Sequence, residues 1–341
     1  MPTTIALAPE MTQKSIELTP DQLNTDRSLV AEVRRLSRVS EAQSVLAIIR
    51  QWTIILGAAV GWTYAAPHLG WLCWPLYLVA IIVIATRQHC LLALMHEGTH
   101  SRLSKNRPWN DFISDMFCAF PMGVSTDLYR RQHLEHHAHT NTNDDPYWIG
   151  MQQHEDWRWP KDQIAAIKLF VLDFVGLAGH KLVFLFLNWS PARLMFERHL
   201  KLTVAERLRL ITFLVSAVVV FSVCHLWLAF LVFWVVPALS VFTPMVRMRS
   251  VAEHLVLESS HELNKTRHVE SNWLERMLVA PMNLNYHIVH HLYPSIPFYN
   301  LPKMHEILMQ KPVYRDNAHI TPNYWGLRHG VLAELTKSYA K

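Results

Sequence analysis

Two stretches near the N-terminus, 45–66 and 71–94, stay apolar for about the 20 residues that a helix needs to cross a bilayer. Arg50 sits near the edge of the first, where its long side chain can snorkel to the headgroups. The link Ala66-Pro67-His68-Leu69-Gly70 is short enough only for a hairpin. A longer apolar block, 209–246, divides near Cys224-His225 and predicts spans over 209–224 and 226–246, with Pro237 and Pro244 positioned to kink the second. Residues 111–124 are too short to cross. Residues 163–187 are long enough but carry Lys168, Asp173, His180 and Lys181, and charges at that density are expensive in hydrocarbon. An interfacial amphipathic helix is expected there.

The polar flanks set the topology. Arg34, Arg35 and Arg38 precede the first span, and Arg102, Lys105 and Arg107 follow the second. Arg207 and Arg209 open the third, Arg247 and Arg249 follow the fourth, and the two short hairpin links hold no Lys or Arg. Positive charge stays inside, so both termini are expected in the cytoplasm. The expected fold is an all-α, multi-pass integral membrane protein, with four transmembrane helices in two hairpins under a cytoplasmic helical cap. Residues 1–44 read as a cytoplasmic arm, 45–310 as the membrane domain and 311–341 as a cytoplasmic tail.

Composition agrees. The 341 residues are 51% hydrophobic and only 17% charged, where a soluble protein has roughly a quarter charged. The net charge of +5 comes without a dense basic tract, which argues against nucleic acid as a partner. Cys73, Cys90, Cys118 and Cys224 lie singly in apolar stretches and read as reduced packing residues.

The candidate chemistry lies in three histidine clusters: His96 and His100; His133, His136 and His137; His287, His290 and His291. Residues three and four apart share a helix face, so each cluster can aim its rings at one point. Three such helices could hold two metal ions with about four imidazoles each, leaving room for an exogenous ligand such as dioxygen. The clusters stand at span ends, which separates this pattern from a transporter with ligands at the bilayer midplane. Zinc prefers four ligands and has no redox chemistry; so many histidines over two sites suit iron. His68, His154, His199, His225, His305, His319 and His329 read as ordinary structural histidines.

HEGTH, HLEHHAHTNTNDDPYW and NYHIVHHLYPSIPFYNLP together resemble the membrane fatty acid desaturase superfamily, the integral-membrane histidine-box di-iron desaturases and hydroxylases, over about residues 45–310. The resemblance implies two Fe ions per chain, dioxygen as co-substrate and attack on an unactivated C–H bond of a lipid or fatty acid. It makes His96, His100, His133, His136, His137, His287, His290 and His291 iron ligands, and adds His254, in RSVAEHLVLE, as a ninth. Some members hold a water through an Asn four residues before that histidine; here the position is Ser250. Many carry Glu where this chain has Val289. Glu97, Glu135, His139, Asp144, Asp145, Ser250, Glu253 and Asn285 are the residues expected to support the ligands. Trp109, Phe112, Phe117, Phe120, Trp148 and Trp273 are candidates to line a substrate tunnel, and Arg247 or Arg249 to sit at its end. No HPGG haem-binding signature occurs, so an external electron donor of ferredoxin, rubredoxin or cytochrome b5 type is expected. Desaturation is the first expectation. Hydroxylation, or oxidative decarboxylation of a free acid to a terminal alkene, is the alternative.

Overall fold

The computed structural model describes residues 19–196 and 203–336. Residues 1–18 of the expected arm, 337–341 of the tail, and His199 lie outside the described residues. The described residues are mostly helical, and the strands among them are two short parallel segments, β1 (His268–Val269) and β2 (Ile320–Thr321).

Helices α1 (Glu41–Leu69) and α2 (Cys73–Thr99) run antiparallel around Gly70, whose φ of 52° suits a residue without Cβ. Trp62 Nε1 donates to the Cys73 carbonyl near the turn (2.8 Å), and Arg87 Nη1 donates to Gln51 Oε1 far from it (3.1 Å). Among the described residues two segments are long and apolar enough to cross a membrane, Glu41–Thr99, which is this hairpin, and Trp227–His254, and there are three if the bent pair Gln163–Phe174 and Gly179–Arg193 is one span. Every residue of α2 from Ile84 to Thr99 is buried. A helix apolar almost all round belongs at the centre of its neighbours, and α2 is that centre.

Helix α3 (Thr126–His139) is capped by Ser125, and α4 (Pro146–Gln152) by Asp145, whose carboxylate accepts from Tyr147 N at 2.8 Å. The stretch expected as one interfacial helix is broken. It forms α5 (Gln163–Phe174) and α6 (Gly179–Leu187), bent by 80° where Gly176 takes a φ of 84°. Its charge is also not all interfacial: Asp173 is fully buried and accepts from Arg247 Nη2 at 3.1 Å.

Helix α7 (Val204–Val223) opens with a capping box between Thr203 and Glu206. It carries Glu206, Arg207 and Arg209 in its first two turns, which leaves only Leu210–Val223 apolar. The Trp227–His254 segment breaks at Ser240 before its last helix, α8 (Phe242–His254). Pro244 has no N–H for the Ser240 carbonyl and its ring crowds that oxygen, so the expected kink falls there. Short helices α9 (His287–Leu292) and α10 (Val331–Thr336) follow.

Residues 255–336 pack over the end of α8 through Leu255, Val269, Val279, Leu284, Val331 and Leu335. The N-terminal residues join this layer: Leu23, Leu29 and Leu36 are buried against Ile288, Val289 and Leu301, and Lys311 Nζ donates to Asp26 Oδ2 at 2.9 Å. Residues 19–36 and the segment after 310 therefore share a core with α9 rather than standing apart from it.

Candidate metal centre

All nine singled-out histidines meet beneath this layer, and they sort into two groups. His96, His100, His133, His137 and His290 present ring nitrogens within 4.8 Å of one another. His136, His254 and His291 form a second such group, and His287 joins it through His254, with Nε2 to Nε2 at 2.9 Å. In the first group the Nε2 atoms of His100 and His133 are 2.9 Å apart, those of His133 and His137 3.0 Å, and those of His137 and His290 3.1 Å.

Helix geometry explains the sorting and corrects the expectation that each cluster aims at one point. Residues four apart are nearly in line along a helix, whereas adjacent residues diverge by about 100°. His133 and His137 on α3 stay together in the first group, and His136 turns to the second. On α9 the pair His287 and His291 serves the second group, and His290 turns to the first. The end of α2 gives His96 and His100 to one group, and the end of α8 gives His254 to the other.

Polar neighbours fix the rings. His136 Nδ1 lies 2.9 Å from both Asp145 oxygens, so an Nδ1–H donates to the carboxylate and leaves the Nε2 lone pair facing the group. Thr140 Oγ1 meets His291 Nδ1 at 3.2 Å, and the Tyr147 hydroxyl meets His133 Nδ1 at 3.2 Å. Glu253 Oε1 stands 3.6 Å from His287 Nδ1 and accepts from Arg249 Nε at 2.8 Å. The turn that carries His96 and His100 is clamped from outside. Arg130 donates to the Thr99 and Gly98 carbonyls, both at 2.9 Å, and Asn110 Nδ2 to Gly98 O at 2.8 Å. Gly98 is needed there, because a Cβ would fall 2.6 Å from Ser114 Cβ.

The other candidate supports are placed differently. Glu135, His139 and Asp144 are exposed. Asn285 acts at one remove: it donates to Val269 O, and its own carbonyl meets His268 Nδ1 at 2.8 Å. Glu97 accepts from Phe298 N at 2.9 Å and is 4.0 Å from His96 Nδ1, so it ties the loop after α9 to α2. Ser250 lines the cavity described next. Sequence reasoning passed over Thr140, Tyr129, Tyr147, Arg130 and Asn110. Thr140 and Tyr147 had a signal, standing four residues past His136 and just after the Asp-Pro helix start.

Beside the histidines lies a partly open cavity with about 980 Å³ of empty space, part of it continuous with solvent. His133, His254 and His287 form one wall, and Tyr129, Tyr147, Arg249, Ser250 and Glu253 also face it, with Leu92, Met95, Val124, Leu185, Phe186 and Val246. None of the six aromatic residues expected in a tunnel lines it. Phe120 packs with Leu128 and Leu210, Trp109 stacks on Phe112, and Trp273 is 70% exposed. Arg247 is absent too, held by Asp173 and lying 4.5 Å from the centre of the Trp157 ring.

Burial sets the charge of the rings. It drives His137 down to about 2 and His100 to about 3, and with the neighbouring imidazoles it holds His133, His290 and His291 well below the usual value. These rings are neutral at pH 7 and keep a lone pair. Both nitrogens of His96, Nε2 of His136 and Nδ1 of His254 and His287 are buried with no hydrogen-bond partner among the described residues. Lone pairs facing one another in a dry site are unfavourable unless a cation lies between them. Two imidazole nitrogens bound to one ion at ~2.1 Å and a right angle stand ~3.0 Å apart, which matches the 2.9–3.1 Å separations found. The residues fit metal ions.

Comparison with known proteins agrees with that chemistry. Dihydrorhizobitoxine desaturase of Bradyrhizobium elkanii is 27% identical over 277 residues, 77% of this chain and 76% of the relative. The sn-1 oleoyl-lipid 12-desaturase of Anabaena variabilis is 30% identical over 248 residues, 67% of each chain. Its counterpart from Synechocystis is 27% identical over 335 residues, covering 89% of this chain and 88% of that one. The family model described as fatty acid desaturase matches residues 69–323, which span all nine histidines. The chain therefore belongs to the fatty acid desaturase family and is an oxidoreductase.

Proposed function

We propose that this enzyme oxidises an unactivated C–H bond of a fatty acyl chain with dioxygen at a non-haem di-iron centre, and that the reaction is desaturation. The observation that carries the reading is the division of nine imidazoles, six buried and three partly buried, into groups of five and four. In this reading His96, His100, His133, His137 and His290 hold one iron, and His136, His254, His287 and His291 hold the other. Iron bound there supplies the activation of dioxygen and the two-electron oxidation, which zinc could not.

The remaining work falls to this chain's own residues. Asp145 keeps the proton of His136 on Nδ1, and Thr140 and Tyr147 orient His291 and His133 in the same way. The buried end of α2 and the layer over α8 exclude water from the histidines. The cavity holds the substrate against His133, His254 and His287, and its shape decides which carbon faces them. Four membrane helices, formed by α1, α2, α7 and Trp227–His254, would put this layer and both termini on the cytoplasmic side, within reach of a separate ferredoxin, rubredoxin or cytochrome b5-type donor.

The test is purified protein with reductant, a donor system and free and esterified C8 to C18 acyl substrates, analysed by mass spectrometry beside a metal assay. About two irons per chain and a dioxygen-dependent product support the reading. Product formed without dioxygen, or by a protein holding a single zinc, refutes it. An alkene of unchanged carbon count marks desaturation and an alcohol marks hydroxylation. A terminal alkene one carbon shorter marks oxidative decarboxylation.

A further inference from the structure

The cavity beside the histidines is mostly apolar, yet one wall carries a cluster of polar groups. A chain oxidised near its middle would meet only apolar walls there. Instead the wall next to His133, His254 and His287 carries Arg249, Glu253, Tyr129 and Tyr147. A single carboxylate oxygen, Glu253 Oε1, separates Arg249 from the histidines, at 2.8 Å from Arg249 Nε and 3.6 Å from His287 Nδ1. That bond occupies one edge of the guanidinium. Among the described residues its two Nη groups have no hydrogen-bond partner, although the side chain is only 13% exposed. A guanidinium with open N–H groups in a mostly apolar, partly open chamber is suited to a planar, two-oxygen anion. The Tyr129 and Tyr147 hydroxyls are hydrogen-bonded to each other on the same wall, which leaves the pair one O–H to donate to that anion.

The opposite end differs. Phe186 belongs both to this cavity and to a second one of about 530 Å³, walled by Met122, Leu182, Val183, Leu187, Leu239 and Phe242. That cavity opens beside Val183 and Leu187, which are 44% and 47% exposed. Phe186 is the partition between the chamber that holds Arg249 beside the histidines and a second apolar one at the surface of α6.

We infer that the substrate is a free carboxylic acid bound head first. Arg249, with Tyr129 and Tyr147, receives its carboxylate beside the histidines, and its alkyl tail runs past Phe186 into the second cavity. The C–H bonds that face the histidines are then those of the first few carbons after the carboxylate. An ester or thioester of the same chain lacks the charge that Arg249 matches. This inference rests on the acyl-oxidation reading above, and it can fail separately.

The experiment is equilibrium binding to the full-length, metal-loaded protein in detergent, without reductant so that nothing turns over. Radiolabelled decanoic acid is the probe, with unlabelled decanoic acid and methyl decanoate as competitors. The acid should compete at least ~10-fold better than the ester, as expected for charge-assisted hydrogen bonds. Arg249→Lys should weaken the acid ~10-fold with bound metal unchanged, because the ammonium cannot bridge Glu253 and the substrate together. Phe186→Ala should shift the preferred acid to longer chains. Equal competition by acid and ester in the unaltered protein overturns the inference without any variant, as does absence of specific acid binding. Unchanged acid affinity in Arg249→Lys overturns it too. If acid binds as expected but no dioxygen-dependent product forms, the oxidation reading fails and the binding inference stands.

Discussion

The two histidine groups reach similar geometry by different routes. The five-histidine group is built mostly from i,i+4 pairs on two long helices, α2 and α3, and both pairs are read directly from the chain. Its supports act mainly on the helix backbone, where Arg130 and Asn110 grip the Gly98 and Thr99 carbonyls, with Tyr147 alone on a ring, that of His133. The four-histidine group draws on α3, α8 and α9, the last only six residues long. Its supports act on the rings themselves, through Asp145, Glu253 and Thr140. Where long packed helices supply the rings, packing does the orienting. Where short elements converge, three of the four imidazoles, those of His136, His287 and His291, have a polar neighbour of their own.

The contrast can be broken most severely at a histidine. His254→Ala should lower bound iron from roughly two to roughly one per chain and cut activity by ~10³-fold, read by metal analysis and dioxygen uptake. His100→Ala should cost less metal, because four neighbours remain in its group. Equal metal loss in the two variants would erase the distinction between them.

Asp145→Asn comes next. It removes the carboxylate from His136 but no histidine, and should weaken metal affinity ~10–100-fold in the four-histidine group alone. Chelator titration showing both groups weakened alike would contradict this.

A smaller effect is expected at the end of α8. Arg267 donates to the carbonyls of Ala252, Leu255 and Val256 around His254, and Glu334 on α10 anchors it at 2.8 Å. Burial alone would raise the Glu334 carboxyl, but bonds from His319 and Thr321 and the Arg267 charge bring it down to about 2. Glu334→Gln should loosen His254, slowing metal recovery after chelation roughly threefold while the five-histidine group reloads normally.

The smallest effect is pH-dependent. Burial holds His305 at about 4 and His268, which also feels His305, at about 3, against an ordinary 6.5. Both are neutral in the folded chain, whereas the unfolded chain takes up protons below 6.5. Their stability contribution is complete above 6.5 and drains away as pH falls toward 4. The unfolding temperature should drop by about 2–4 °C less between pH 7 and 5 in His305→Phe than in the parent protein. An identical slope would show that these rings do not control it.

The sequence made some of this legible and hid the rest for physical reasons. The first hairpin could be read because apolar length alone predicts it, and helix periodicity brought the histidines into view. The division into two groups could not be read, because it depends on where α2 and α8 end relative to α3. Glu135 and Asp145 look alike as acidic residues near a cluster. One is exposed, and the other caps α4 and turns toward His136. The 163–187 stretch reads as one helix, and neither its bend nor the pairing of Asp173 with Arg247, 74 positions away along the chain, has a local signal.

Gly98 shows how far the site extends past atoms that touch a metal. A side chain at this position would wedge α2 away from Ser114 and swing His96 and His100 apart. A deep mutational scan scored on enzyme output should therefore flag position 98 as intolerant as a chelating residue. Surveys that infer coordination from intolerance alone would misassign a residue whose contribution is to leave space.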